Sequence, residues 1–430
     1  MRVSTNQLHN TSVQNMTGQQ SRINETQDKL SSGLRVRQPS DDPTAAARAL
    51  DLERAISAVE RFNKNGDMAR TRLSMSESAL EQAGNNLQRI RELAVQAANG
   101  SQTPETREQI AAEVRERREQ LFQLANSRDG SGEYLFAGSR TRTQPFHMTS
   151  GGTVEYRGDQ NTREVRVGPG RQMSVDSSGF EVFMDGGTGN GHYQVREAPG
   201  NEGSGVIIPA DTGVQGIGSE FEAYRVRFAE DQDGNLRYAV QRTRDADGGP
   251  EDWEWVQPPA QDGQAPDVSE APRYEPGGTI EVADGVRVVI KGEPEGAESF
   301  AAAAPGDTFS VTASRPQSVF ATVDKLATAL EREGTGEAFH NAVNRALGDI
   351  DLAMENISEE RAEIGARLSA LDAEEASNEA ALVDLNKALS DAEDLDYAEA
   401  TGRFNQQLTG LQAAQSTFSR VQGLSLFKYL

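Results

Sequence analysis

The chain has 430 residues, no cysteine, 6% aromatic residues and a formal net charge of -24 at pH 7. The missing cysteines exclude disulfides, zinc-thiolate sites, iron–sulfur clusters and thiol catalysis. The charge argues against a nucleic-acid backbone or an anionic membrane surface as partner.

Charge and helix breakers divide the chain into thirds. Residues 1–132 carry net +1, residues 133–315 net -14 and residues 316–430 net -11. The middle third holds 27 of the 41 glycines and 12 of the 16 prolines. Two ends poor in breakers and a centre rich in turn formers predict helix, then a β-rich insert, then helix. No stretch approaches 18 uninterrupted apolar residues, so no membrane span is expected. The first residues lack the apolar core of a secretory signal, so a Sec-type leader is not expected either.

In chain order, Val13, Met16, Ile23 and Leu30 form a thin apolar seam interrupted by Gln20 and Gln27. Ser31-Ser32-Gly33 would break that first helix. Ser40-Asp41-Asp42 then supplies N-cap oxygens and negative charge before Pro43, which opens the next helix. Leu73, Ser76, Leu80, Ala83, Leu87, Ile90, Ala94 and Ala97 recur at alternating spacings of three and four, the coiled-coil period. The stripe extends back less regularly through Leu50, Ile56, Val59, Phe62 and Ala69, and Asn99-Gly100 ends it. Thr103-Pro104-Glu105 starts another helix, striped by Ile110, Val114, Leu121 and Leu124.

The middle predicts strands. Residues 153–157 and 163–167 alternate about the polar turn 158–161, a hairpin signature. Further strand candidates are 220–228, 236–241, 278–283, 285–291 and 307–312, with 185–205 and 245–277 as loops. Trp253 and Trp255 share one face and read as a packing anchor for the insert. Asp231-Gln-Asp233-Gly234-Asn235 has its glycine at the fourth position rather than the sixth that an EF-hand requires, so it predicts a solvated turn. Gly187-Thr-Gly189-Asn-Gly191 lacks dinucleotide spacing and predicts a flexible loop.

The last third mirrors the first. Val343, Leu347, Ile350, Met354, Ile357, Arg361, Ile364, Leu368 and Leu371 form one seam. It continues through Glu375 and Asn378 to Leu382, Leu385 and Leu389. At about 1.5 Å per residue this is a helix of roughly 70 Å, which requires an equally long partner. The N-terminal helices supply one, in an antiparallel bundle. Phe404, Leu408, Leu411, Phe418 and Val421 recur at helical spacing near the end. Both terminal seams are too thin to repay the ordering of their own segments, so they are expected to become rigid only when neighbouring chains cover them.

Chemistry is sparse. His9, His147, His192 and His340 are scattered, and no metalloprotease, Walker or nucleophile-elbow motif occurs. No catalytic, cofactor or metal site is expected, and no enzymatic activity.

Lys29-Leu-Ser-Ser-Gly-Leu-Arg-Val36 with Ser40-Asp41-Asp42-Pro43 resembles the N-terminal signature of flagellins and their relatives. Asp394-Leu-Asp396-Tyr397, Gln412-Ala-Ala-Gln415 and the ending Phe427-Lys-Tyr-Leu430 resemble, within that flagellin-like family, the hook–filament junction or third hook-associated proteins. Tyr134-Leu-Phe-Ala-Gly138 is a further internal likeness, and Gly179-Phe-Glu-Val-Phe183 and Gly306-Asp-Thr-Phe-Ser-Val311 are weaker ones. The resemblance implies a structural adapter between hook and filament. Such adapters are exported through the flagellar type III channel with a cytosolic chaperone on the C-terminal helix, and assemble outside the cell as a ring. Implied partners are copies of the chain itself, a neighbouring hook-associated junction protein, and flagellin or hook-side proteins.

The expected architecture is a long antiparallel helical bundle with a central β-rich insert. Residues 1–44 form an N-terminal assembly helix and turn, and 45–134 the first part of the bundle. Residues 135–315 form a projecting insert of one or two subdomains, 316–392 the second part of the bundle, and 393–430 a C-terminal assembly helix. The expected assembly interface is Met16, Ile23, Leu30, Leu34, Phe404, Leu408, Leu411, Phe418, Val421 and Leu430. A flagellin filament subunit and a secreted coiled-coil scaffold or adhesin are the alternative readings.

Overall fold

The structure is a computed structural model that describes residues 5–100, 102–210, 223–245, 252–259, 264–283, 285–302, 306–331 and 336–423. Seven α-helices occur among them: α1 Thr5–Ser32, α2 Pro43–Ala97, α3 Pro104–Ala125, α4 Gly179–Phe183, α5 Val319–Glu331, α6 Glu337–Glu393 and α7 Tyr397–Gly423. The ends are helical and the centre is β-rich, as the distribution of glycine and proline dictates. Helix α6 has 57 residues and α2 has 55, so each is about 80–85 Å long.

The described chain forms two compact units. One holds the residues up to Gly66, the segment 166–171 and those from Asp372 onward; the other holds Asp67–Val165 and Gln172–Leu371.

In the larger unit, the heptad residues from Leu73 to Ala97 are all at most 1% exposed. Helix α6 runs antiparallel to this stretch: Arg361 pairs with Glu77 at 2.8 Å, Arg91 with Asp351 at 2.6 Å, and Gly84 faces Ile357. Thr103 caps α3, accepting from the Thr106 N–H, with Pro104 in the first turn. Helix α3 packs along α5. The backward extension of the α2 stripe is corrected at its far end. Leu50 is 50% exposed and its neighbour Ala49 is buried, because the α-helical period drifts away from a strict heptad.

The Tyr134–Gly138 and Gly179–Phe183 motifs meet in an aromatic cluster. Phe136, Phe146, Phe183 and Phe320 stack or meet edge to face at 5.4–6.1 Å, and Tyr156 joins through Phe146 at 5.2 Å. Beside it lies a buried ionic knot. The Arg72 guanidinium donates to Asp176, to Asp129 at 2.5 Å and to the Tyr134 carbonyl at 2.7 Å. Arg163 reaches both Asp176, at 3.4 Å, and Glu133, at 3.2 Å. The Asp176 side chain has no exposed surface. Burial pushes its carboxyl above the ordinary range, and the positive charge of Arg72 pulls it back.

Among the described residues the strands form four sheets. β1 Phe146–Met148 pairs with β2 Val154–Tyr156, and β3 Glu164–Arg166 with β4 Gln172–Ser174. This corrects the expected single hairpin of 153–157 with 163–167. The runs were identified correctly, but each pairs with its other neighbour: the Thr149 N–H donates to the Thr153 carbonyl and the Val167 N–H to the Arg171 carbonyl, closing turns outside the expected hairpin.

A five-stranded sheet has the order β5 (Tyr193–Glu197), β12 (Thr308–Ala313), β7 (Ala223–Glu230), β8 (Leu236–Thr243), β9 (Glu254–Gln257). A three-stranded sheet has the order β10 (Thr279–Ala283), β11 (Val286–Lys291), β6 (Val206–Pro209). Their inner faces share one core. Val226, Phe228, Val240, Phe309 and Val311 of the first meet Ile280, Val288 and Ile290 of the second. Strands β5 and β9 fall where loops were expected, and β6 lies just past the 185–205 loop, where no element was assigned. Each is only four or five residues long, too short for alternation to stand out against flanking glycines and acids.

Trp253 lies over the Arg225 guanidinium at 3.9 Å, and Trp255 packs against Phe300 at 5.8 Å, consistent with a packing anchor. Asp231 closes the β7–β8 turn: its carboxylate accepts from the Asp233 and Asn235 N–H groups and from Arg237 at 2.8–3.0 Å. Those bonds hold its carboxyl at about 2. A carboxylate so fully engaged by donors is a turn lock. The glycine-rich loop 187–191 is pinned rather than loose, since Gly189 donates to Asp349 at 2.8 Å and Thr188 to the Ser314 hydroxyl at 2.9 Å.

Candidate assembly interface

The smaller unit brings the two chain ends together. α1 and α7 pack side by side and antiparallel. The Thr26 hydroxyl donates to Gln407 at 2.9 Å, and Gly410 faces Gln19. Ile23 (4% exposed) and Leu411 (9%) are buried in the pair. These two expected interface residues therefore first join the chain's own helices. Met16, Leu30, Leu34, Phe404, Leu408 and Phe418 are half-buried. They keep apolar surface that the pair does not cover. The Val421 side chain and Leu430, with the rest of the Phe427–Leu430 ending, lie outside the described residues.

Sequence reasoning missed three exposed apolar side chains of this unit. Val13 was assigned to a seam yet is 40% exposed, Val383 is 68% exposed and Tyr397 55% exposed. The signal for Val383 was its position immediately after the seam residue Leu382, on the outward face of α6.

The two motifs that carried the resemblance interlock. Leu34 and Asp394 form an antiparallel bridge, Arg35 N–H donates to the Glu393 carbonyl at 2.7 Å, and Leu395 N–H to the Gly33 carbonyl at 2.8 Å. The Arg35 guanidinium donates to the Ala392 carbonyl at 2.6 Å and to Asp42 at 3.3 Å. The turn after α1 and the turn before α7 are thus one hydrogen-bonded knot between segments 357 residues apart.

Each aspartate has a definite task. Asp42 caps α2, accepting from the Thr44 hydroxyl at 2.7 Å and from the Thr44 and Ala45 N–H groups at 3.1 Å. Asp41 accepts from the Arg37 and Gln38 N–H groups at 3.0 and 3.2 Å. Asp396 caps α7 through the Ala398 and Glu399 N–H groups at 2.9 and 3.1 Å.

The Thr44 hydroxyl, then the Ala45 N–H, hold the Asp42 carboxyl down at about 2, against an ordinary 3.8. A depressed folded-state value means that the cap's contribution is complete above pH 4 and fades as pH falls through about 2. Asp42→Asn, which still accepts at the cap, is expected to lose that acid dependence. Two-dimensional NMR of the Thr44 and Ala45 amides between pH 1.5 and 5 checks it.

Gly33 has φ +75°, and a Cβ there would sit 3.0 Å from the Tyr397 hydroxyl. Gly33→Ala is therefore expected to cost about 1–2 kcal/mol of the knot's stability, read as faster amide exchange at Arg35 and Leu395.

The hairpin tip 166–171 adds a second tie within this unit. Asn65 and Asn378 donate to the Arg166 and Val167 carbonyls, each at 2.9 Å. This explains a polar residue in the α6 seam, for Asn378 is buried because a backbone carbonyl needs it.

Comparison with known proteins matches this geometry. The profile of the bacterial flagellin N-terminal helical region covers residues 3–141, and that of the C-terminal helical region covers 347–430. Flagellar hook-associated protein 3 of Salmonella typhimurium is 33% identical over 183 residues, 43% of this chain and 57% of that protein. The chain thus spans little more than half the length of the curated relatives it matches. Among solved structures, Xanthomonas campestris FlgL is 32% identical with a TM-score of 0.64, over 79% of this chain and 99% of the other. The flagellar junction protein FlgL from Legionella pneumophila is 29% identical with a TM-score of 0.67, over 81% of this chain and 100% of the other.

Flagellin-type helical ends enclosing a β-rich centre define the class of protein. Within that class, the chain belongs to the flagellar hook-associated protein 3 (FlgL) family.

Proposed function

We propose that the chain is a non-enzymatic adapter of the bacterial flagellum, joining hook to filament as a ring of identical copies. The observation that carries this reading is the α1–α7 pair. It buries Ile23, Ala400 and Leu411 inside the chain and leaves Met16, Leu30, Phe404, Leu408 and Phe418 partly uncovered beside exposed Val13. Side-by-side contacts of that surface between copies are heterologous, and such contacts close into rings or continue as helices. The half-buried residues, with Leu34, Val421 and Leu430, form the contact between copies. Ile23 and Leu411 hold the surface in shape.

In this reading the segments 1–44 and 393–430 are the assembly helices, 45–134 and 316–392 the stiff bundle, and 135–315 the projecting insert. The partners are further copies, the adjoining hook-associated junction protein, and hook-side or filament subunits. A cytosolic chaperone covers the C-terminal helix before export through the flagellar type III apparatus. The absence of cysteine suits passage through a narrow channel, since no cross-link has to be undone.

The flagellin reading keeps one observation in its favour, because both matching profiles are those of flagellin helical regions. Deleting the gene separates the two. An adapter's loss leaves complete hooks and releases intact flagellin into the medium, and the wild-type gene restores filaments. Filaments persisting on the deleted strain's hooks, or a strain lacking any other flagellin, would refute the adapter reading.

A further inference from the structure

A cleft of about 790 Å³ opens in the larger unit between the edge strand β5, strand β6 and helices α5 and α6. That volume suits a small organic ligand or a few residues of peptide. One wall is apolar, with Ile208, Pro209, Ala342 and Leu347. Arg196, Lys325 and Arg345 also line it.

The acids around this cleft are already engaged. Arg345 forks onto Glu197, with one bond of 3.1 Å. Asp324 pairs with Arg118 at 2.7 Å and Asp351 with Arg91 at 2.6 Å. Asp349 accepts from the Gly189 N–H and from the Gln317 amide, both at 2.8 Å. Two cations are left over. Lys325 donates to the Gln317 amide oxygen and Arg196 to the Gln194 amide oxygen. Neither has a carboxylate within 4.0 Å among the described residues. Burial lowers the Lys325 ammonium below its ordinary value, and Arg196 and Arg345 lower it further against the opposing pull of Asp349. Lys325 and Arg196 thus line an apolar-walled cleft without an ion-paired carboxylate, and the Asp349 charge opposes Lys325 from beyond ion-pair distance while its oxygens are held by Gly189 and Gln317.

We propose that this cleft binds an amphipathic carboxylate, its anionic head between Lys325 and Arg196 and its apolar body along Ile208, Pro209, Ala342 and Leu347. The site is separate from the assembly surface, and its test does not depend on the adapter reading. The same chemistry is offered by a free organic acid and by an aspartate or glutamate flanked by leucines in a polypeptide.

Isothermal titration of the full chain at pH 7.4 with octanoate, octanol, acetate and an acetylated Leu-Asp-Leu amide tests it. Octanoate is expected to bind saturably at one site. Octanol lacks the charge and acetate lacks the body, so each binds at least about tenfold more weakly. Lys325→Met and Arg196→Met each weaken octanoate about tenfold, and Lys325→Arg keeps it. Circular dichroism verifies the fold of each variant. Should Lys325→Met unfold, Ala342→Trp, which fills the cleft from α6, abolishes binding instead. Tighter binding of the peptide than of octanoate assigns the natural ligand to a polypeptide, and weaker binding to a free acid. No saturable octanoate binding, equal binding of octanol, or octanoate affinity unchanged in the folded variants would overturn the proposal.

Discussion

Leu411→Asp abolishes incorporation of the chain into the flagellum while leaving the larger unit folded. Leu411 is 9% exposed in the α1–α7 pair, and the substitution removes about 2 kcal/mol of apolar burial. It also sets a carboxylate into the buried contact of α7 with α1, a further cost of several kcal/mol. A pair whose described residues bury only Ile23, Ala400 and Leu411 as apolar core cannot absorb that loss. The measurement is twofold. Circular dichroism of the purified variant retains the β signal of the insert, and quantitative blotting of isolated hook–basal bodies finds the variant missing. Export into the medium is retained. Normal incorporation would show that the pair is not the element on which assembly depends.

Arg72→Met destabilises the larger unit by about 3–5 kcal/mol, the cost of leaving a buried carboxylate without its partner. The Asp176 side chain is fully buried, and the remaining cation, Arg163, is 42% exposed and lies 3.4 Å away. The urea midpoint of insert unfolding reports the loss. With Arg72 gone, the folded-state value of Asp176 rises further above its unfolded value of 3.8. A raised carboxyl binds more protons in the folded state, so its cost grows as pH rises. The deficit of the variant is therefore small at pH 4 and full at neutral pH. Arg72→Met combined with Asp176→Leu recovers part of the stability, since the fully buried carboxylate is then gone while Asp129 still lacks its cation. A midpoint within error of wild type at pH 7 for the single variant would mean that Arg163 suffices without Arg72.

Much of the fold was legible where one physical pattern acted alone. The stripe from Leu73 to Ala97 is spaced every three or four residues, and every member is buried. Asp42 before Pro43 announced a helix start, and it caps one. Among the insert strands, β7, β8, β10, β11 and β12, five to eight residues long, were visible as runs, as were the three-residue β2 and β3. Legibility failed where partners are distant in sequence. The pairing of 153–157 with 163–167 was mistaken because alternation marks a strand but not its neighbour. The spacing along α2 gives Arg72 no role. Its burial became explicable only once Asp129, Tyr134 and Asp176 had converged on it.

The candidate interface was legible to a similar degree. Helical spacing located the terminal seams and the motif resemblance located both turns. Neither could separate Ile23 and Leu411, which close the pair, from Met16, Leu30, Leu34, Phe404, Leu408 and Phe418, which keep uncovered surface. That division depends on which face α1 turns toward α7, and a sequence period fixes a face only up to rotation about the helix axis.

The most direct measurement is the position of the chain on the flagellum. Antibody raised against the insert, detected with gold in electron micrographs of intact cells, is expected to mark a single narrow band where hook meets filament. Label distributed along the whole filament, or on the cell surface away from flagella, would contradict a junction adapter.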